Sequence, residues 1–497
     1  MSAPARFAAE LLRALERQGV RYAVVGSARE DIGRTDEDVD LLVDPAALAA
    51  LARPIARYCR DTGGWLVNAI DHQVNARCFV CAWLDATGGL VCVQLDFAAG
   101  LRRQGKLLLA ADRLLDARQR TAGLPGTGGG FYVAAPADAF IYSLLKGVTK
   151  PRLPDADAAR LSREWREDPG GARERIARYW PAREAALLAD AARRGRWDAV
   201  HAGQPHLRRV LLARRPGVPR AGALEIARVA RRITHPTGLV VAFLGPDGSG
   251  KSTVIEQVAP ALAPLFRRQR RYHFRPDPFG LGLPTASSGR TALPHRRSAW
   301  LLAPFVSLVA WAKLAYYLLD YWVGYARSVW PLTVRTGLAA FDRYFHDLAI
   351  DPVRLRHRGP MAMARLLERL VPAPDLSIVM HAPTWAMQAR KQEVPPAETE
   401  RQRTEYVRLV GRLPRSHVVD ATRPVAQVTR QVLEIILAHL GHRTAARLGY
   451  GGEPLITSTA PERLATKRRS AADVRAMAVQ YPVAAAAKPN TIQSDRN

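Results

Sequence analysis

Cysteine and lysine are both scarce in this chain. Four cysteines in 497 residues exclude a disulfide scaffold and fit a reducing compartment. Only eight of the 73 basic residues are lysine, leaving 73 − 8 = 65 arginines. Acidic residues are fewer, 45, so the net charge is +28. Arginine beside abundant alanine, glycine and proline fits a GC-rich codon bias. The charge is nonetheless physical at pH 7 and attracts phosphates, nucleic acid or anionic lipid without choosing among them. No specific nucleic-acid motif accompanies it. A continuous apolar run is missing from Met1 to Val20, where Arg6, Glu10, Arg13, Glu16 and Arg17 interrupt the apolar residues. That excludes a signal-peptide pattern and predicts an amphipathic helix. The expected location is cytoplasmic, peripheral to a membrane at most. With 48% hydrophobic and 24% charged residues, wholesale disorder and a polytopic membrane protein are excluded. The length suggests about three domains.

Composition changes along the chain. Tyr22–Val25, Val39–Val43, Val74–Trp83 and Gly89–Phe97 are apolar or alternating runs that predict strands, with a hairpin turn over Ala86–Gly89. From about Ala135 to Arg232, Arg/Glu/Ala-rich segments punctuated by Pro and Gly predict helices. Leu239–Leu244 is wholly apolar and suits a buried parallel strand. After Gly441 periodicity fades into a basic tail expected to be mostly disordered.

That strand runs directly into Gly245-Pro246-Asp247-Gly248-Ser249-Gly250-Lys251-Ser252-Thr253, and an apparent helix, Thr253 to Leu262, follows. Strand, glycine-rich turn and helix N-terminus together present backbone N–H groups to phosphate oxygens. Lys251 is placed to reach the outer phosphates of a nucleotide, and the Ser252 hydroxyl to hold Mg²⁺. Further along, Phe341-Asp342-Arg343-Tyr344 closes another apolar run, Pro374–Met380 reads as a core strand, and Gln388–Glu393 carries Arg390 with Arg401 and Arg403 downstream. Val418–Thr422 reads as a last strand and turn.

In motif and order, residues 239–440 resemble the thymidylate kinase family. The resemblance implies a P-loop kinase using ATP and Mg²⁺. Its phosphate loop would comprise Gly245, Gly248, Ser249, Gly250, Lys251, Ser252 and Thr253. It would give Asp342 a metal-water role with Ser252, Arg343 and Arg275 the acceptor phosphate, Asp247 the acceptor sugar, and Arg390 the transferring phosphoryl. Lys251, Asp342, Arg343 and Arg390 would be the catalytic set, a division suited to phosphoryl transfer, which needs positioning and charge neutralisation. Two features depart from the family. Its Arg-Glu-Pro-Gly stretch is Phe274-Arg275-Pro276-Asp277 here, and an apolar insertion, Ala299 to Trp330, stands where the base-recognising helix should be. Thymidine monophosphate is therefore expected to be a poor acceptor.

Trp300, Trp311 and Trp322 recur every 11 residues in that insertion and form one helical stripe. Lys313, Asp320 and Arg327 recur every seven and form a polar stripe roughly opposite. Three readings stay open: a helix packed on the kinase core, a helix docking a membrane surface or protein partner, and a true span. Only 14 residues, Ala299–Ala312, precede Lys313, which is short for a span.

A second constellation lies near the N-terminus. Tyr22–Ser27 is a strand ending in Gly26-Ser27, Asp38-Val39-Asp40 puts two carboxylates on one strand face, and Asp96 sits on the return strand of the hairpin. Order and spacing resemble the minimal nucleotidyltransferases of the DNA polymerase β superfamily. The resemblance implies that Asp38, Asp40 and Asp96 hold Mg²⁺ and that Gly26 and Ser27 cradle a triphosphate. Lys146 and Lys150, four apart on a predicted helix, have two readings, contact with a nucleotide or a solvated helix face, and the second is favoured. Cys78 and Cys81 lie i, i+3 on a predicted strand, so they point to opposite faces and cannot chelate together.

The expected fold class is α/β. It comprises a nucleotidyltransferase-like domain (1–125), a helical companion (130–235), a thymidylate kinase-like P-loop domain (236–440, with the insertion at 299–330) and a tail (441–497). The function it implies is an ATP- and Mg²⁺-dependent phosphotransferase acting on a nucleotide or other small-molecule acceptor. The alternative is a nucleotide-switched assembly factor whose Trp-striped helix docks a partner or membrane.

Overall fold

A computed structural model describes residues 3–29, 32, 38–121, 129–214, 219–278, 303–351, 365–392 and 394–449. The amphipathic start folds as a helix, Ala3–Arg17, that buries Leu11, Leu12 and Leu15. Nine strands follow: β1 (Tyr22–Val24), β2 (Val39–Val43), β3 (Trp65–Gln73), β4 (Ala76–Leu84), β5 (Leu90–Ala98), β6 (Gly100–Arg103), β7 (Lys106–Ala110), β8 (Gln119–Arg120) and β9 (Tyr132–Val133). Seven form one mixed sheet in the order β3-β4-β5-β2-β1-β9-β8, and β6 pairs with β7 alone. The β4–β5 turn falls where predicted. Asp85 Oδ1 accepts from the N–H groups of Thr87 and Gly89, both at 2.8 Å, and locks it.

The sheet's two faces have different neighbours. Tyr22, Val24, Val39, Leu41, Val43, Phe79, Cys81 and Leu95 pack under the helices Ala3–Arg17 and Ala52–Asp61. On the other face, Ala23, Val25 and Leu42 meet the helix Pro136–Thr149 and the helical segment behind it. Cys78 lies on that second face and Cys81 on the first, as the period of two requires.

The described residues from Pro136 to Ala213 and the segment Pro219–Thr234 are built of helices, as the composition predicts, and Trp165, Trp180 and Trp197 anchor the core of the first stretch. Five parallel strands then build a second sheet: β10 (Leu239–Leu244), β11 (Arg268–His273), β12 (Gly337–Asp342), β13 (Leu376–His381) and β14 (Ser416–Asp420). Their order is β11-β12-β10-β13-β14. The chain therefore lays strands on one side of β10 and then on the other, which opens a crevice beyond the carboxyl ends. Strands β10, β12 and β13 are buried along their whole length, which is why they read as unbroken apolar runs.

Two differences from the sequence reading stand out. The chain does not lose order at 441: Val425–Leu448 is one helix, closed by Gly449 in the left-handed region (φ 77°). Its last turns are held by tertiary contacts that periodicity does not register, since Thr444 Oγ1 donates to Val67 O at 2.8 Å and Ala445 joins the core under the first sheet. The insertion packs on the second sheet, the first of the three readings, but its polar positions do not keep to one face: Lys313 is half-buried, Asp320 buried and Arg327 exposed. In the helix Ala303–Gly324, Leu314, Tyr317 and Tyr321 pack on the second sheet and Asp320 is fully buried, while Trp311 and Trp322 are 44% and 56% exposed. Trp300 lies outside the described residues. Among the described residues no helix is long and apolar enough to cross a membrane.

Hydrophobic contact joins the two sheets. Val67, Ile70, Cys78, Val80 and Ala82 pack with Val428, Val432, Ile436 and Leu440 of the helix Val425–Leu448 in one buried cluster with β10 and β13. Asn68 Nδ2 donates to Thr237 O at 3.2 Å, and Arg447 to the oxygens of Asn68 and Ala69.

Candidate functional site

The turn after β10 is cramped. Gly245 has φ 142° and a Cβ there would lie 2.6 Å from Met380 O; Gly248 has φ 78° and would meet Met387 O at 2.6 Å. Only glycine fits both positions without strain. Lys251 opens the helix Lys251–Ala261 and folds back, donating to Gly245 O and Pro246 O at 2.8 Å each. Burial lowers its ammonium to about 8, and Arg343 adds to that push.

Neighbouring strand ends converge on this loop. Ser252 Oγ donates to Asp342 Oδ2 at 2.9 Å, and Arg271 Nη2 donates to the same oxygen at 2.8 Å. Burial pushes the Asp342 carboxyl up, but Arg271, Lys251 and Ser252 outweigh it and hold it below the usual range. Arg343 continues the ladder by donating its N–H to Phe243 O at 3.0 Å. Its guanidinium donates to Asp347 Oδ2 at 2.8 Å and to Asp247 of the loop. Two residues beyond β11, Arg275 donates to the Tyr316 hydroxyl at 2.8 Å and stands 3.5 Å from both Asp277 and Asp320. Arg390, at the end of the helix Thr384–Arg390, reaches Ala421 O at 3.0 Å and Gly248 O at 3.5 Å. Phe274 (φ 65°) and Arg343 (φ 79°) are non-glycine residues held in the left-handed region at adjacent strand ends. Such outliers cost about 1–3 kcal/mol each and persist where the surroundings enforce them.

All the residues expected at the kinase site thus gather beyond the carboxyl ends of the parallel strands, with Ser252 and Thr253 exposed on the first helical turn. Sequence reasoning missed Arg271, Asp347, Tyr316 and the inward turn of Asp320. The spacing of Arg343 and Asp347 (i, i+4) was the signal for one of these.

At the other end, Asp40 and Asp96 are register partners across the parallel pair β2–β5, and Asp38 stands two residues before Asp40. Gly26 (φ 73°) closes over them, since a Cβ there would lie 3.0 Å from Asp40 Oδ2; Ser27 follows in the same turn, Gly26–Arg29. Burial, with Asp40 second, pushes the Asp96 carboxyl up to about 7, and its buried Oδ1 has no hydrogen-bond partner. Lys146 is not a solvated side chain: its ammonium donates to Asp40 Oδ2 at 2.5 Å, while Lys150 pairs with Asp157 at 2.6 Å.

Hard oxygen donors of this kind suit Mg²⁺ at both places, Ser252 with Asp342 and Asp40 with Asp96. Among the described residues, however, no group of three or more His, Cys, Asp and Glu side chains is gathered so as to hold a metal ion. Either site would therefore need phosphate oxygens or water to complete a coordination shell. Compared with known proteins, the chain matches no family model and no curated protein.

Proposed function

We propose that the C-terminal half is a P-loop kinase that transfers the γ-phosphoryl of ATP to a small-molecule acceptor. The observation that carries this reading is the Ser252–Asp342 hydrogen bond at 2.9 Å, directly beside a glycine-rich turn whose lysine is buried and poised. Mg²⁺ held by Ser252 and Asp342 would supply charge neutralisation at the outer phosphates. The chain's own residues do the rest. Backbone N–H groups of Gly248 to Thr253 and the helix N-terminus bind phosphate oxygens. Lys251 exchanges its carbonyl partners for the β- and γ-phosphates, and Arg390 swings from Gly248 O onto the phosphoryl in flight. Asp247 and Arg343 fix the acceptor opposite it.

The N-terminal carboxylates support a second reading for their own domain, a nucleotidyltransferase-like site of Asp38, Asp40 and Asp96 under the Gly26-Ser27 turn. A different function for the whole chain, a nucleotide-switched assembly factor, is favoured by one observation. Trp311, Leu319, Trp322 and Trp330 line an exposed stripe on the insertion helix and its continuation.

Assay of the purified chain with labelled ATP separates these. Lys251→Ala should abolish ATP consumption while leaving circular dichroism and melting temperature unchanged. A variant that bound and used ATP like the parent would end the kinase reading. Slow hydrolysis without transfer, together with partner or vesicle capture lost in Trp311→Ser/Trp330→Ser, would favour the assembly factor.

A further inference from the structure

Both guanidiniums that flank the acceptor side of the loop are already neutralised. Arg343 is 5% exposed and sits between Asp247 and Asp347; Arg275 is 7% exposed and faces Asp277 and Asp320. Two cations therefore stand against four carboxylates. Burial raises the pKa of Asp320 and of Asp347 against the opposing pull of their arginines. Even with both protonated, these two arginines and their four carboxylates sum to zero. Of the other described cations beside them, Lys251 is folded onto Gly245 O and Pro246 O and serves the ATP phosphates in the reading above, and Arg271 is held by Asp342 and Glu256.

A phosphorylated acceptor would bring roughly two further negative charges. To bind it, each arginine would have to leave a carboxylate behind, buried and unpaired, which is strongly unfavourable. The insertion helix reinforces the point. It supplies Tyr316 and Asp320 to Arg275, and neither oxygen of the wholly buried Asp320 makes a hydrogen bond of normal geometry. Such oxygens are satisfied by O–H or N–H donors and repel phosphate oxygens.

We propose that the acceptor is a polyhydroxyl compound without a phosphate group, recognised through the two of these carboxylates that reach solvent, Asp247 and Asp277; the inference rests on the kinase reading above. In the reaction the acceptor hydroxyl oxygen forms a bond to the γ-phosphorus of ATP. The bond from that phosphorus to the β,γ-bridging oxygen breaks, and ADP leaves with the electron pair. The hydroxyl proton passes to Asp247, the carboxylate on the loop itself.

The test is a titration of the full-length protein, saturated with ADP and Mg²⁺, with thymidine, uridine, adenosine and guanosine 5′-monophosphates. Every Kd should exceed about 1 mM. Asp277→Asn/Asp320→Asn, which releases Arg275, should tighten at least one of them by about tenfold or more. Asp277→Asn alone, at a partly exposed side chain, should show part of the gain if the double variant does not fold. Tight binding of any monophosphate to the parent, or no gain in either variant, overturns the proposal. In matched pairs of sugar and sugar phosphate, label from ATP should go to the unphosphorylated member, and the reverse preference also overturns it. Failure of ADP to bind, or binding undisturbed by Lys251→Ala, would instead fault the kinase reading.

Discussion

Asp40 already holds the Lys146 ammonium at 2.5 Å, and in the nucleotidyltransferase-like reading it would also face the cation that a nucleotide carries. Removing the carboxylates would separate the two proposed chemistries. Asp38→Asn/Asp40→Asn should abolish any nucleotidyl transfer and leave phosphoryl transfer unchanged, because the phosphate loop uses Ser252 and Asp342; loss of both activities with folding intact would mean one composite site. Two histidines give the fold an acid weakness. Burial lowers His439 to about 3, aided by Arg443, and His72 to about 4, aided by Arg267, against an ordinary 6.5. The unfolded chain takes up these protons near 6.5 and the folded chain does not. The stability is present above that pH and is lost as pH falls toward 4 and 3. Asp96, raised to about 7, acts in the opposite sense over the same range, so the readout is the comparison of variant with parent: between pH 7.5 and pH 5, urea unfolding of His439→Gln should lose about 1–2 kcal/mol less stability than the parent does. At this scale the turn from β10 into the helix Lys251–Ala261 was legible because strand, cramped glycines and helix start are written in consecutive residues. Lys146 was not, because nothing in helical spacing reveals that Asp40 lies opposite.

The insertion helix shows how far a local period carries. The tryptophans Trp311 and Trp322 do share an exposed face, but the polar positions do not share one: Lys313 is half-buried, Asp320 buried and Arg327 exposed beyond the widened turn Tyr325–Val329. Asp320 is buried by Arg275 and by the aromatic pairs of Phe274 with Tyr317 and Tyr321. A local pattern cannot report a buried guanidinium contributed by a strand end more than 40 residues earlier. Gly324 fixes how closely the helix approaches that strand end, since a Cβ there would lie 2.4 Å from the Pro276 Cβ. Gly324→Leu should push the helix off the Arg275 loop and lower kcat/KM for the acceptor by about tenfold, or about 1.4 kcal/mol, with ATP affinity little changed. A kinetic profile like the parent's would show that the helix has no part in acceptor binding. Strand β3 escaped the sequence reading for a related reason: Asn68, Asp71 and His72 interrupt its pattern, and the buried Asn68 amide is satisfied by Thr237 O, Arg447 and the N–H of Ala69.

For the molecule as a whole, the helix Val425–Leu448 belongs to both sheets. Truncating Ile436 to alanine should destabilise the protein by about 2–5 kcal/mol. It should lower the melting point of both halves in one transition, followed by fluorescence and by loss of ADP binding; two separated transitions would show the halves to be independent. The α/β character was legible at the sequence level, but this joint was not, because an apolar run such as β4 looks the same whether it faces its own core or a neighbour's. The joint also bears on inheritance. A recombination event that cut the gene between the two units would strand Val67, Val80 and Ile436 in water on opposite fragments. Either fragment would survive only by recruiting a new cover, so descendants of this chain should keep the two units together or replace the facing surface along with the missing one.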